Sequence, residues 1–148
     1  MQFVETQKMK FVVFFLCVIA SFPVTSADDV VSELSRRSGI SVSELRELLA
    51  DCSRHQLSMN ICMFREFVAA DMEMNAAYAK ALARMPDRCR IIFKSEHDEW
   101  TRQRDTQCNN QADDETGGSG SMRPMIYSSC RATATKQRIN VVKTIKNC

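Results

Sequence analysis

The sequence predicts an all-α fold: a small disulfide-stapled helical domain with three longer, antiparallel-type helices and a short N-terminal helical hairpin. Three observations lead there. Apolar residues recur at spacings of three and four over long stretches, which matches the helical repeat. No stretch alternates apolar and polar residues as a half-buried strand would, and no internal repeat is visible. Gly39, Pro86 and the Gly117-Gly118-Ser119-Gly120 run punctuate the periodic stretches, where they serve as helix ends.

Residues 1–27 predict a secretory signal. Lys8 and Lys10 precede an apolar run from Phe11 to Ala20, and small residues lead to Ala27, after which cleavage is expected. The run is shorter than the about 20 apolar residues a spanning helix needs, so no membrane anchor is expected after cleavage. Met9 offers a second start, and Phe15 and Leu16 before Cys17 do not suit a lipoprotein cleavage site. The expected destination is the periplasm.

Residues 28–50 form an N-terminal helical extension in this reading. A first helix opens at Asp28 or Asp29 and closes at Gly39. Ser41-Val42-Ser43-Glu44 then has the pattern of a capping box, starting a second helix through Leu45, Leu48 and Leu49. Residues 51–148 make the main body. Its first long helix starts near Ser58 as N-cap and carries Phe64, Phe67, Val68, Met74, Tyr78, Leu82 and Met85 as one stripe. Pro86 ends it or opens the next helix, about Asp87 to Cys108, on which Trp100, Arg104 and Cys108 share a face. Asn109 to Ser121 reads as a mobile, non-helical loop bearing Asp113-Asp114-Glu115. A last helix runs from about Pro124 to the end, with Ile126, Cys130, Ala134, Val141, Ile145 and Cys148 in register.

Without Cys17, the cysteines of the mature segment are Cys52, Cys62, Cys89, Cys108, Cys130 and Cys148. An even number in an exported chain implies disulfides. If the last two helices pack antiparallel, Cys108 faces Cys130 and Cys89 faces Cys148. The two intervals differ by one residue, about 1.5 Å of helix rise. Cys52 is left for Cys62. No Cys-x-x-Cys pair is present and His55 and His97 are isolated, so no metal or other cofactor is expected. The methionines could suit Cu(I), but most stand where a core residue or helix former would serve.

Charge is nearly balanced, 20 basic against 18 acidic residues, which gives no global case for nucleic acid. The cations gather after Met122 as Arg123, Arg131, Lys136, Arg138, Lys143 and Lys146, and a solvated helix face accounts for them. Asp71 and Arg104 both fall on apolar stripes. Buried ions are normally paired, so an Asp71–Arg104 contact between two helices is expected, with Trp100 against it. Breaking such a pair would cost about 3–5 kcal/mol. Arginine stays protonated and cannot act as a base, so the pair reads as structural. No nucleophile elbow, phosphate loop or paired-carboxylate spacing is visible, and an enzyme is not expected.

Several segments carry a family resemblance. Asp51-Cys52, Ser58-Met59-Asn60-Ile61-Cys62, Ala70-Asp71-Met72-Glu73-Met74-Asn75-Ala76-Ala77-Tyr78, Trp100 with Arg104-Asp105 and Cys108, Gly117-Gly118-Ser119, and Cys130 with Thr135 and Arg138 resemble the LprI-type lysozyme inhibitor family. The resemblance spans Asp51 to about Val142. Met74, His97 and Ala134 depart from the residues usual there, and Cys89 with Cys148 looks like an added pair. The resemblance implies a small secreted helical domain in which Asn75, Tyr78, Trp100 and Asp105 belong to a folding signature. It also implies lysozyme inhibition, a non-catalytic defence of peptidoglycan. Lysozyme or another envelope protein is then the expected partner; its expected contact, on the loop's own acidic charge and glycines, is Asp113, Asp114, Glu115, Gly117 and Gly118. The second reading is an envelope module that binds peptidoglycan or a partner protein through the basic last helix.

Overall fold

The computed structural model describes residues 26–145, which form five helices and no strand: α1 Ala27–Ser38, α2 Val42–Ala50, α3 Gln56–Arg84, α4 Asp87–Thr116 and α5 Arg123–Thr144. The signal segment before Ser26 lies outside the described residues.

Each helix end has a local cause. In the uncleaved chain Ser26 caps α1: its hydroxyl accepts from the Asp29 N–H at 3.1 Å, and the Asp29 carboxylate accepts from the Ser26 N–H at 3.0 Å. Cleavage after Ala27 would remove this cap and leave the helix to start at Asp28 and Asp29. Gly39 closes the helix at φ 74°, a left-handed conformation that glycine adopts without strain. Ser41 caps α2 through the Glu44 N–H. On α3 the sequence expectation shifts by one turn. His55 is the cap, its Nδ1 accepting from the Ser58 N–H at 3.1 Å, and Ser58 is fully buried in the first turn.

The largest departure is at the end of α4, where the expected loop from Asn109 is helical through Thr116. Three interactions extend it. Asn109 donates to Asp113 at 3.0 Å and Gln111 to Glu115 at 2.8 Å, both one turn apart, and Ala112 is buried against the body. The chain stops at Gly117, φ 66°, where the Gly117 and Gly118 amides turn back onto the Asp113 carbonyl. Asp113, Asp114 and Glu115 therefore ride on a helix, and only Gly117 and Gly118 lie in the turn.

Met85 and Pro86 alone separate α3 from α4, so these two helices form a hairpin. Helix α5 packs against both. It runs parallel to α3, because Lys136 meets Glu66 and Lys143 meets Glu73, each pair separated by the same 70 residues and one heptad further along. At the other end the Asn60 amide donates to the Ser121 carbonyl at 2.9 Å, tying the start of α3 to the α4–α5 turn.

Helix α3 buries two faces, where the sequence suggested a single stripe. One face places Met74 and Ala81 against Phe93 of α4 and Ile139 and Val142 of α5. The other places Ile61 and Val68 against Leu34 of α1 and Leu45 of α2, both fully buried. Phe67 and Val68, adjacent in sequence, are about 100° apart on a helix and so fall on different faces. Disulfides join Cys52 to Cys62 and Cys108 to Cys130. Cys89 is also disulfide-bonded, and Cys148, its expected partner, lies outside the described residues.

Candidate functional site

Two regions gather the singled-out residues. The first is a layer of cations and aromatic rings between α3, α4 and α5. Its centre is Arg104, 6% exposed. The guanidinium stands 5.2 Å from the Phe67 ring centroid and 5.1 Å from that of Trp100, with Nη1 donating to Thr135 at 3.1 Å and Nε to Asp105 at 2.9 Å. Asp71 is present at 3.7 Å, but its closer partner is Arg37 of α1, at 2.8 Å. The expected two-residue pair is thus a wider network, with Asp105 nearer to Arg104 than Asp71 is. Arg37 is oriented by Glu33, whose carboxylate, bonded to both Arg36 and Arg37, is drawn down to a pKa of about 2.

Sequence reasoning missed Phe67, Arg131 and Arg37 as parts of this layer. Arg131 lies 3.9 Å from the Phe67 centroid and 3.9 Å from that of Tyr127, and Arg138 lies 5.6 Å from that of Trp100. Read as a solvated face, these two cations of α5 instead turn inward. The available signal was the spacing of Arg131, Thr135 and Arg138, which puts all three on one helical face with a buried threonine between them. His97 continues the layer, stacked 4.1 Å from Tyr78 and 5.9 Å from Trp100. Burial, with the nearby Arg138 charge, holds its imidazole below the ordinary value. Asn75 does not join these residues: it is exposed on α3. Every cation here is an arginine and the one imidazole is apolar-walled, so the layer suits register and rigidity better than proton transfer. Among the described residues no cluster of histidine, cysteine or acid is arranged to hold a metal.

The second region is the pole where α4 ends. Asp113 is already engaged, accepting from Arg123 Nε at 2.6 Å while Arg123 also donates to Asn109 at 2.6 Å. Asp114 and Glu115 remain exposed, and the last turn of α4 holds no cation. Two exposed carboxylates at the negative end of a helix dipole work against stability. Beside them a groove of about 480 Å³ is lined by Met63, Met125, Ile126 and Ala134, with Gln111 and Glu115 among its polar groups. It is a trough of mixed apolar and polar side chains with one carboxylate, a shape and charge suited to a lysine or arginine side chain.

Among the described residues no helix is long and apolar enough to cross a membrane. No solved structure matches the chain. An uncharacterised protein of Rhizobium meliloti (strain 1021) is 29% identical over 110 residues, covering 64% of this chain and 78% of that protein. The family model described as lysozyme inhibitor LprI matches residues 50–141, from the Cys52–Cys62 staple through Arg104 and the acidic pole to Arg138. The chain belongs to the LprI lysozyme inhibitor family.

Proposed function

We propose that the protein is exported to the periplasm and acts as a non-catalytic lysozyme inhibitor, shielding peptidoglycan from a host enzyme. Family membership over residues 50–141 carries this reading. The pole at the end of α4 supports its physical form. Animal lysozymes are commonly basic outside their cleft, and exposed carboxylates speed encounter with a cationic partner. Asp114 and Glu115 provide that charge, and the groove beside Glu115 provides room for a cationic side chain with an aliphatic stem.

Docking through the basic last helix finds less support. Arg123 and Lys136 are paired with Asp113 and Glu66, Lys143 with Glu73, and Arg131 and Arg138 lie over rings. Little free positive charge remains on α5 for an anionic polymer.

The test is lysozyme clearing of a cell-wall suspension with the oxidised mature protein, beside sedimentation on insoluble peptidoglycan. Inhibition without sedimentation is expected, and Asp114→Lys with Glu115→Lys should abolish it without lowering the melting temperature. Undiminished inhibition in that variant would place the contact elsewhere. A wild-type protein that leaves lysozyme activity untouched would remove the proposal.

A further inference from the structure

The end of the molecule opposite the acidic pole has a different surface. Where α3 turns through Met85 and Pro86 into α4, Ile91 is 72% exposed and Ile92 44% exposed. Ile91 lies on the side of α4 opposite Cys89 and Phe93, which reach the core, and Ile92 lies at the edge between the two sides. Arg88 lies one turn before both, Lys94 one turn after Ile91, and Arg84 on the final turn of α3. All three cations are exposed, and none pairs with a carboxylate among the described residues. The one acid of the turn, Asp87, is bound to Arg90.

We propose that this tip docks on an anionic phospholipid surface, with Ile91 and Ile92 entering the headgroup boundary and Arg84, Arg88 and Lys94 resting on the phosphates. Three features favour a lipid surface over an acidic protein. The patch sits where α3 turns into α4 at one end of the helical bundle, beside the end of α5, and an end face of exposed side chains meets a deformable interface without needing a complementary pocket. Apolar side chains flanked by long cationic ones match the layering of that interface, since arginine and lysine lay their stems on hydrocarbon and keep their charge at the phosphates. Basic residues next to a membrane surface add to binding roughly in proportion to their number. Docked this way, the acidic end of α4 points away from the negative surface, where like charges would repel it.

The test is co-sedimentation of the oxidised mature protein with vesicles of phosphatidylcholine alone and of phosphatidylcholine mixed with phosphatidylglycerol, at low and at raised salt. We expect sedimentation that needs phosphatidylglycerol and weakens with salt. Arg88→Glu with Lys94→Glu should lower the partition coefficient about tenfold or more. Ile91→Ser with Ile92→Ser should also lower it while leaving the salt dependence, and an unchanged melting temperature in both variants shows that they fold. No binding to the mixed vesicles overturns the proposal, as does binding that both variants retain. Capture of the protein by immobilised polyglutamate, without vesicle binding, also overturns it and points to an acidic protein partner. The experiment contains no lysozyme, so its outcome is independent of the inhibition assay.

Discussion

At Arg104, burial to 6% exposure would be costly for a lone guanidinium, and the residue is held from several sides by Asp105, Thr135, Asp71 and two ring faces. This changes what a mutation at Asp71 should do. The charge left behind keeps Asp105 at 2.9 Å, so Asp71→Ala should cost about 1.5–3 kcal/mol, near the loss of a charged hydrogen bond to Arg37, rather than the full value for an isolated buried pair. Arg104→Ala should cost more, about 3–5 kcal/mol, because it also empties the space between Phe67 and Trp100. Urea denaturation of the two variants checks the order, and equal losses would show that Asp71 is the principal partner after all. His97 carries a pH signature. Its folded value is lowered, so between that value and about 6.5 the unfolded chain holds a proton the native state lacks. Its contribution to stability is present above about 6.5 and is lost as pH falls through the folded value. Melting curves across that range should show a steeper acid loss in the wild type than in His97→Gln. The sequence marked Asp71, Trp100 and Arg104 by their spacing, whereas Arg37 and Arg131 sit on other helices, and the contact of Phe67 with Arg104 crosses from α3 to α4, so these partners became visible only through packing.

Among the elements, α4 shows most clearly how local chemistry outweighs composition. Glycines and polar residues suggested a loop from Asn109, but side-chain bonds one turn apart and the buried Ala112 keep the chain helical to Thr116. Asp113 belongs to this stabilising set through Arg123, and Asp113→Ala should cost about 1 kcal/mol in chemical denaturation. Asp114→Lys should do the reverse, adding about 0.3–1 kcal/mol by answering the helix dipole, even as it removes a carboxylate proposed to meet lysozyme. A variant that is more stable and less inhibitory would separate the two roles. A loss of stability would mean that Asp114 has a structural duty. The helix boundaries elsewhere were legible within about a turn from caps and prolines. His55 was not read as a cap, because an imidazole accepting through Nδ1 is less common at that position than serine or aspartate.

For the whole molecule, the hairpin of α1 and α2 is part of the fold although it precedes the family match at residue 50. Leu34 and Leu45 are fully buried against Ile61 and Val68, and Arg37 reaches Asp71. Leu34→Ala and Leu45→Ala should each cost about 2–5 kcal/mol, as cavities in a closed core do. Thermal unfolding of either variant that matched the wild type would show the hairpin to be a detachable extension. The Cys108–Cys130 bridge closes a loop of 22 residues at the acidic pole, and replacing both cysteines with serine should cost about 3 kcal/mol.

What the sequence determined by itself was whatever depends on short range: an all-α chain, nearly all of its helix ends, and the marked residues Asp71, Trp100 and Arg104. These follow from backbone hydrogen bonding and side-chain spacing within a few turns, which the order of residues carries directly. Only the tertiary structure decided that α3 buries two faces, that Arg131 and Arg138 of α5 turn inward onto aromatic rings, and that Arg104 shares Asp71 of α3 and Asp105 of its own helix as counter-charges. Those outcomes depend on which faces meet in space, and many packings are compatible with the same periodicity. The arrangement that surrounds Arg104 with partners while closing both apolar faces of α3 becomes visible only when the helices are assembled.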